Sequence, residues 1–271
     1  MSERQWRLID SSDCDGYYNM ALDEAISESV IAGLAPTTLR FYGWKTKTVS
    51  LGAFQRVEDI DIVFCNEHHI PIVRRPTGGR AILHFRELTY SISSANLDIF
   101  SKDIKGSYIL ISRIFIDALN HLGVETEFSD RRLKGRDLIK SPLCFNAVSV
   151  GEITFQGKKL IGSAQKRWTN GFLQQGSIPL VNDYKTIDKV FSGVDAYAFT
   201  DIQSINPSIT IDNLKDCITE SFERCFQVSL CLCQPLEAEH QRALQLVEVK
   251  YQTHEWTHQR VGNYERKRGE T

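Results

Sequence analysis

One stretch limits the possible folds more than any other: residues 141–180, SPLCFNAVSVGEITFQGKKLIGSAQKRWTNGFLQQGSIPL. Its β-rich runs predict strands at about 150–156, 159–166 and 172–180, with the turn Gln156-Gly157-Lys158 joining the first pair. The same stretch carries chemistry. Cys144 is a soft nucleophile beside a helix-breaking proline, and a nearby lysine can lower a thiol pKa or hold a developing negative charge. The small-residue run Gly162-Ser163-Ala164 lets backbone approach a bound molecule closely.

The chain has 271 residues, 42% hydrophobic and 24% charged, enough to bury one large core. A formal net charge of −2 gives no global attraction to nucleic acid or anionic membrane, so any charged partner must meet a local patch. Seven cysteines form no disulfide framework, the N-terminus MSERQWRLIDSS lacks an apolar signal core, and no run approaches membrane-spanning length. The expectation is a reduced, cytoplasmic protein with free thiols.

Upstream, Trp6 to Ile9 is a short apolar run that Asp10-Ser11-Ser12 ends with helix-capping chemistry. Tyr18, Leu22, Ala25, Ile26 and Val30 predict an amphipathic helix over 16–32. Thr38 to Trp44 and Thr48 to Gly52 read as a hairpin split by Lys45-Thr46-Lys47, followed by a helical segment at about 57–69 and a strand from Ile70 to Arg74. Pro76-Thr77-Gly78-Gly79 is a loop between strand-like flanks, and Leu88 to Ser93 alternates as a strand. Helices are expected at 107–122, about 212–227 and about 236–251, and no repeat or linker divides the chain.

Two separated segments carry a resemblance: Arg74-Arg75-Pro76-Thr77-Gly78-Gly79-Arg80-Ala81-Ile82-Leu83-His84, and Gly157-Lys158-Lys159-Leu160-Ile161-Gly162-Ser163-Ala164. They resemble the biotin/lipoate protein ligase family, with agreement from Leu51-Gly52-Ala53-Phe54-Gln55, Lys250-Tyr251 and Trp256. Within it the chain is similar to the LipM-type octanoyltransferase branch, which carries an acyl-thioester cysteine fifteen residues before the family lysine, the separation of Cys144 and Lys159. Pro142-Leu143-Cys144-Phe145 and His84-Phe85-Arg86-Glu87-Leu88-Thr89-Tyr90-Ser91 also look like that branch. Many relatives have His-Gly-Ser where this chain has Gln175-Gly176-Ser177, which argues against an acid or base role at 175.

The resemblance implies an α+β fold, a mixed and largely antiparallel sheet core flanked by helices, in a single catalytic domain over 1–271 with its core at about 33–251. Only fifteen residues follow Trp256, so no C-terminal accessory domain is expected. The implied activity is octanoyl transfer from acyl carrier protein to a lysine of a lipoyl-carrier protein, such as the glycine cleavage H protein, through a Cys144 thioester. No cofactor is then needed, because thioester exchange is near-isoenergetic and amide formation runs downhill. Lys159 would raise the thiolate fraction of a thiol whose reference pKa is about 8.5, and hold the thioester carbonyl. The resemblance places the acyl chain along Arg75, Thr77, Gly78, Gly79, Arg80, Ala81 and His84, a strand edge faced by Gly162, Ser163 and Ala164. Burying about six methylenes at about 0.8 kcal/mol each contributes roughly 5 kcal/mol before ordering costs. Arg131, Arg132, Lys134, Arg136 and Lys140 are expected to dock the acidic carrier.

Blander readings stand beside these. A cysteine such as Cys144 is more often a small buried hydrophobe, and Cys14, Cys65, Cys217 and Cys225 are read as structural. Cys231-Leu232-Cys233 lacks a second pair at zinc spacing and reads as a strand, while His68-His69, His254 and His258 lack a metal-site pattern. Two rival activities remain: an ATP- and Mg-dependent lipoate-protein ligase acting through an adenylate, and a non-catalytic module that binds lipoyl domains or carriers.

Overall fold

A computed structural model describes residues 4–100, 103–128, 152–193, 195 and 198–259. Eleven strands form two sheets among these residues. The larger contains β1 (Arg4–Cys14), β2 (Thr38–Trp44), β6 (Glu87–Ser94), β7 (Glu127–Phe128), β8 (Ile153–Phe155), β9 (Lys158–Trp168), β10 (Gly171–Pro179) and β11 (Val228–Cys233). Its order is β11-β1-β2-β6-β10-β9-β8-β7. The smaller contains β3 (Thr48–Leu51), β4 (Ile72–Arg74) and β5 (Ile82–His84), ordered β4-β3-β5. Pairing is parallel at β1–β11, β1–β2 and β3–β4 and antiparallel elsewhere, so the sheets are mixed and largely antiparallel.

The helices divide between the faces of the larger sheet. On one face α4 (Ile104–His121) and α7 (Ile211–Phe226) cover Leu39, Phe41, Tyr90 and Ile92, the centre of the main apolar cluster. On the other face α1 (Gly16–Ile31) packs with α8 (Glu237–Leu246), Tyr251 and Trp256 around Tyr42 and Trp44. A third cluster lies under the smaller sheet, where Val49, Leu51 and Ile82 meet Ile187, Val190 and Phe199. Helix α9 (His254–His258) is fastened by Arg74, whose fully buried guanidinium donates to the carbonyls of Thr257 at 2.8 Å, Gly52 at 2.7 Å and Gln55 at 2.7 Å.

Three expectations need correction. The 38–52 segment is no hairpin: β2 lies between β1 and β6, so both of its edges are taken and β3 must pair in the other sheet. Asp10-Ser11-Ser12 does not end the first element, because β1 absorbs those polar residues in a register shift between Asp10 and Asp13. The cap is Asp15, whose carboxylate accepts from Tyr18 N at 2.9 Å. The 57–69 segment splits into a 3₁₀ turn at Val57–Asp59 and α2 (Ile62–Glu67). No helix among the described residues is long and apolar enough to cross a membrane.

Candidate active site

A narrow pocket lies between the two sheets. Cross-strand rows on β9 and β10 form one wall: Gly162 pairs with Ser177, and Ala164 with Gln175. Met20 from α1, Ser50 and His84 from the smaller sheet, and Trp44 complete it. Of the residues expected along an acyl chain, Arg75, His84, Gly162, Ser163 and Ala164 line this pocket. The segment 75–81 is a loop joining β4 to β5 rather than a strand edge. Ala81 points away, fully buried in the cluster under the smaller sheet. Thr77 stands behind the lining and donates to Gln175 Oε1 at 2.8 Å.

Local chemistry explains the loop's shape. Arg75 Nη2 donates to the carbonyls of Gly78 and Arg80, each at 2.7 Å, so one guanidinium closes the turn from inside. Gly79 has φ 83°, and a Cβ there would sit 3.0 Å from Arg75 Nη2 and 3.6 Å from the Ala164 methyl. The Gly79 carbonyl in turn lies where a Cβ on Gly52 would be, at 1.9 Å, so the two backbones touch. Glycine at these positions is a packing requirement.

Gln175 is held as firmly. Its Nε2 donates to Asp23 Oδ2 at 2.7 Å, and the same fully buried carboxylate accepts from Arg40 Nη1 at 2.7 Å, Tyr42 Oη at 2.8 Å and Ser91 Oγ at 2.7 Å. Helix α1, β2, β6, β10 and the glycine loop therefore meet at one carboxylate. Sequence periodicity missed Asp23 because an isolated acid inside a helix gives no sign of which face it occupies. Most polar groups around the pocket thus bond to one another, while the buried Ser177 hydroxyl on its wall has no hydrogen-bond partner among the described residues.

Lys159, at the start of β9, is fully buried, and its Nζ lies 2.6 Å from Glu152 Oε1. It sits on the same strand, three residues before Gly162. Glu152 was not expected at the site. Tyr90 crosses under Gly176 to Ser163 Oγ at 2.8 Å, and burial pushes its hydroxyl up to about 12, so it acts as a neutral hydrogen-bonding group. Burial likewise pushes Cys65 up to about 11 and raises Cys14, Cys217, Cys225 and Cys233, the opposite of thiolate activation. Cys144 and the basic run Arg131, Arg132, Lys134, Arg136 and Lys140 lie outside the described residues.

Known proteins give this geometry a context. Among solved structures, the fold is similar to a bi-partite lipoate protein ligase from Thermoplasma acidophilum, with TM-score 0.77 and 21% identity over 94% of this chain and 96% of that one. It is similar also to a lipoate-protein ligase A bound with ATP, with TM-score 0.79 and 22% identity over 95% and 98%. At these identities the likeness shows the lipoate ligase fold alone. Among curated proteins, the octanoyltransferase LipM of Anoxybacillus flavithermus is 34% identical over 96% of this chain and 100% of its own. That of Carboxydothermus hydrogenoformans is 35% identical over 93% and 97%. The family model for the lipoyl protein ligase A/B catalytic domain matches residues 15–223. The chain belongs to the lipoyl protein ligase A/B catalytic domain family.

Proposed function

We propose that this protein is an octanoyltransferase of lipoate biosynthesis: Cys144 takes an octanoyl group from acyl carrier protein as a thioester and passes it to a lysine of a lipoyl-carrier protein. The observation that carries the reading is the apolar-walled pocket bounded by Gly162, Ser163 and Ala164 on the strand that begins with buried Lys159, in a chain 34% identical to octanoyltransferases along nearly its whole length.

In this reading Lys159 supplies a fixed positive charge. Its Nζ donates to Glu152 Oε1 at 2.6 Å. The ammonium then stabilises the thiolate of Cys144 and the oxygen of the reacting thioester. Acyl transfer between sulfurs and then to nitrogen needs no nucleotide. The basic run from Arg131 to Lys140 offers an acidic carrier a local attraction that the net charge of −2 does not.

Intact mass after mixing with octanoyl-acyl carrier protein tests the proposal. The expected result is an octanoyl adduct, labile to hydroxylamine, lost in Cys144→Ala and formed without ATP. An adduct that persists in Cys144→Ala, or product that forms only with ATP and free acid, would overturn it. The second result would indicate a ligase.

A further inference from the structure

Lys159 hangs from a backbone that is fixed on both sides. On one side it pairs with Thr154 of β8, and on the other its carbonyl accepts from Thr200 N at 3.0 Å beside a parallel bridge to Phe199. A break in the alternation of β9 sets the direction of the side chain. Ile153 pairs with Ile161 while Thr154 pairs with Lys159, so β9 carries one residue more than β8 over that interval. Leu160 and Ile161 in consequence both enter the main apolar cluster. Alternation on either side of the break then puts Lys159 opposite Leu160 and Gly162 opposite Ile161, so the lysine shares the face from which Gly162 and Ala164 line the pocket.

Beyond the backbone the lysine is a flexible four-carbon stem that ends in a compact charge, free to spread over several rotamers unless something holds it. Glu152 provides the hold. The β8–β9 turn, with Gln156 and Gly157 at φ 49° and 77°, folds Glu152 back onto a lysine seven positions on, and Lys159 Nζ donates to Glu152 Oε1 at 2.6 Å. Both side chains are buried.

We infer that Glu152 is a positioning residue for acyl transfer: it holds Lys159 Nζ at one point on the pocket side of β9. The inference rests on the octanoyltransferase reading above, in which Lys159 serves the thiolate and the thioester oxygen. Glu152 touches neither the sulfur nor the acyl group and carries no proton. Its contribution is geometry, because a charge fixed in advance acts without reorganising, and a misplacement of about 1 Å costs about 100-fold in rate. The acceptor oxygen does the holding, so Glu152→Gln preserves the position. Glu152→Asp, one methylene shorter, does not reach it.

The test follows octanoyl adduct formation by intact mass at early times after the full chain is mixed with octanoyl-acyl carrier protein. At saturating carrier, Glu152→Ala and Glu152→Asp are expected to acylate about 10- to 100-fold more slowly than the unsubstituted chain, with the half-saturating carrier concentration unchanged. Glu152→Gln is expected to keep most of the rate. Full speed in Glu152→Ala, a loss in Glu152→Gln as large as in Glu152→Ala, or a change confined to half-saturation overturns the inference. Where Glu152→Ala does not fold, the other two decide: Glu152→Asp slower than Glu152→Gln supports it, and equal rates refute it. A second readout needs no carrier. With isotope-labelled lysine read by nitrogen NMR, the Lys159 Nζ signal, identified by its loss in Lys159→Met, is expected to exchange slowly in the unsubstituted chain and in Glu152→Gln and to vanish into solvent exchange in Glu152→Ala. An unchanged signal in Glu152→Ala overturns the positioning role. A chain that forms no adduct at all overturns octanoyl transfer instead, and the nitrogen signal then decides this inference alone.

Discussion

Single residues around the pocket carry sharp constraints. A Cβ at Gly176 would lie 2.3 Å from Tyr90 Cε1, and that ring is backed by Phe115 with centroids 4.2 Å apart. It has nowhere to retreat. Gly176→Ala is expected to cost about 1–3 kcal/mol, seen as a lower urea midpoint with an unchanged slope. The Lys159–Glu152 pair makes a second prediction: double-mutant cycles with alanine should return a coupling of about 1–3 kcal/mol, because the charges are buried and 2.6 Å apart. Lys159 was legible from its motif, whereas Glu152 was not. The bulge between Ile153 and Thr154 shifts the pairing across from β9, and nothing in the residue pattern announces it. Arg75 and His84, which line the pocket, were legible from their motif, but Ser50 was not, since a serine inside a strand gives no hint of what it faces.

At the scale of elements, periodicity predicted the long helices whose apolar stripe faces a core, as in α4 and α7, but not the short helix Tyr184–Val190, whose Ile187 and Val190 enter the cluster under the smaller sheet. It also predicted β9 and β10 and the turn between β8 and β9, where Gln156 and Gly157 take φ 49° and 77°. Partnership was less legible. Local pattern cannot say that β2 has no free edge, and so a hairpin was expected where the chain passes between sheets. Nor does it register that α1 buries Asn19, Asp23 and Ser27 as well as its apolar face. That helix tests the tie through Asp23. Gln175→Leu removes one of the donors to the carboxylate and the acceptor for Thr77, and is expected to cost about 1–3 kcal/mol. Thr77→Val added to it should cost less than it does alone, because the bond is already gone. Thermal or urea unfolding of the three variants checks this.

Across the whole molecule, residues far apart in sequence are fastened at a few points, and one of them titrates. His258 stacks on His254 at 4.0 Å beside the Arg74 clamp, and burial, then His254, then Arg74 lower its pKa below the usual 6.5. Sign follows from proton counting: between the lowered value and 6.5 the unfolded chain binds more protons, so stability is complete above 6.5 and is lost as pH falls through the folded value. Urea midpoints should therefore drop from pH 7.5 to pH 5.5, and His258→Gln should flatten that dependence. A similar fastening joins Arg7 to Glu239 at 2.7 Å, alongside the parallel pairing of β1 with β11. During translation, β1 emerges early and its outer edge stays bare until Val228–Cys233 has been made, a wait of roughly 10–45 s at ribosomal speeds. For that interval a nascent chain carries a sticky ribbon with no mate, so its yield in cells should depend on chaperone supply and on how fast the last third is read.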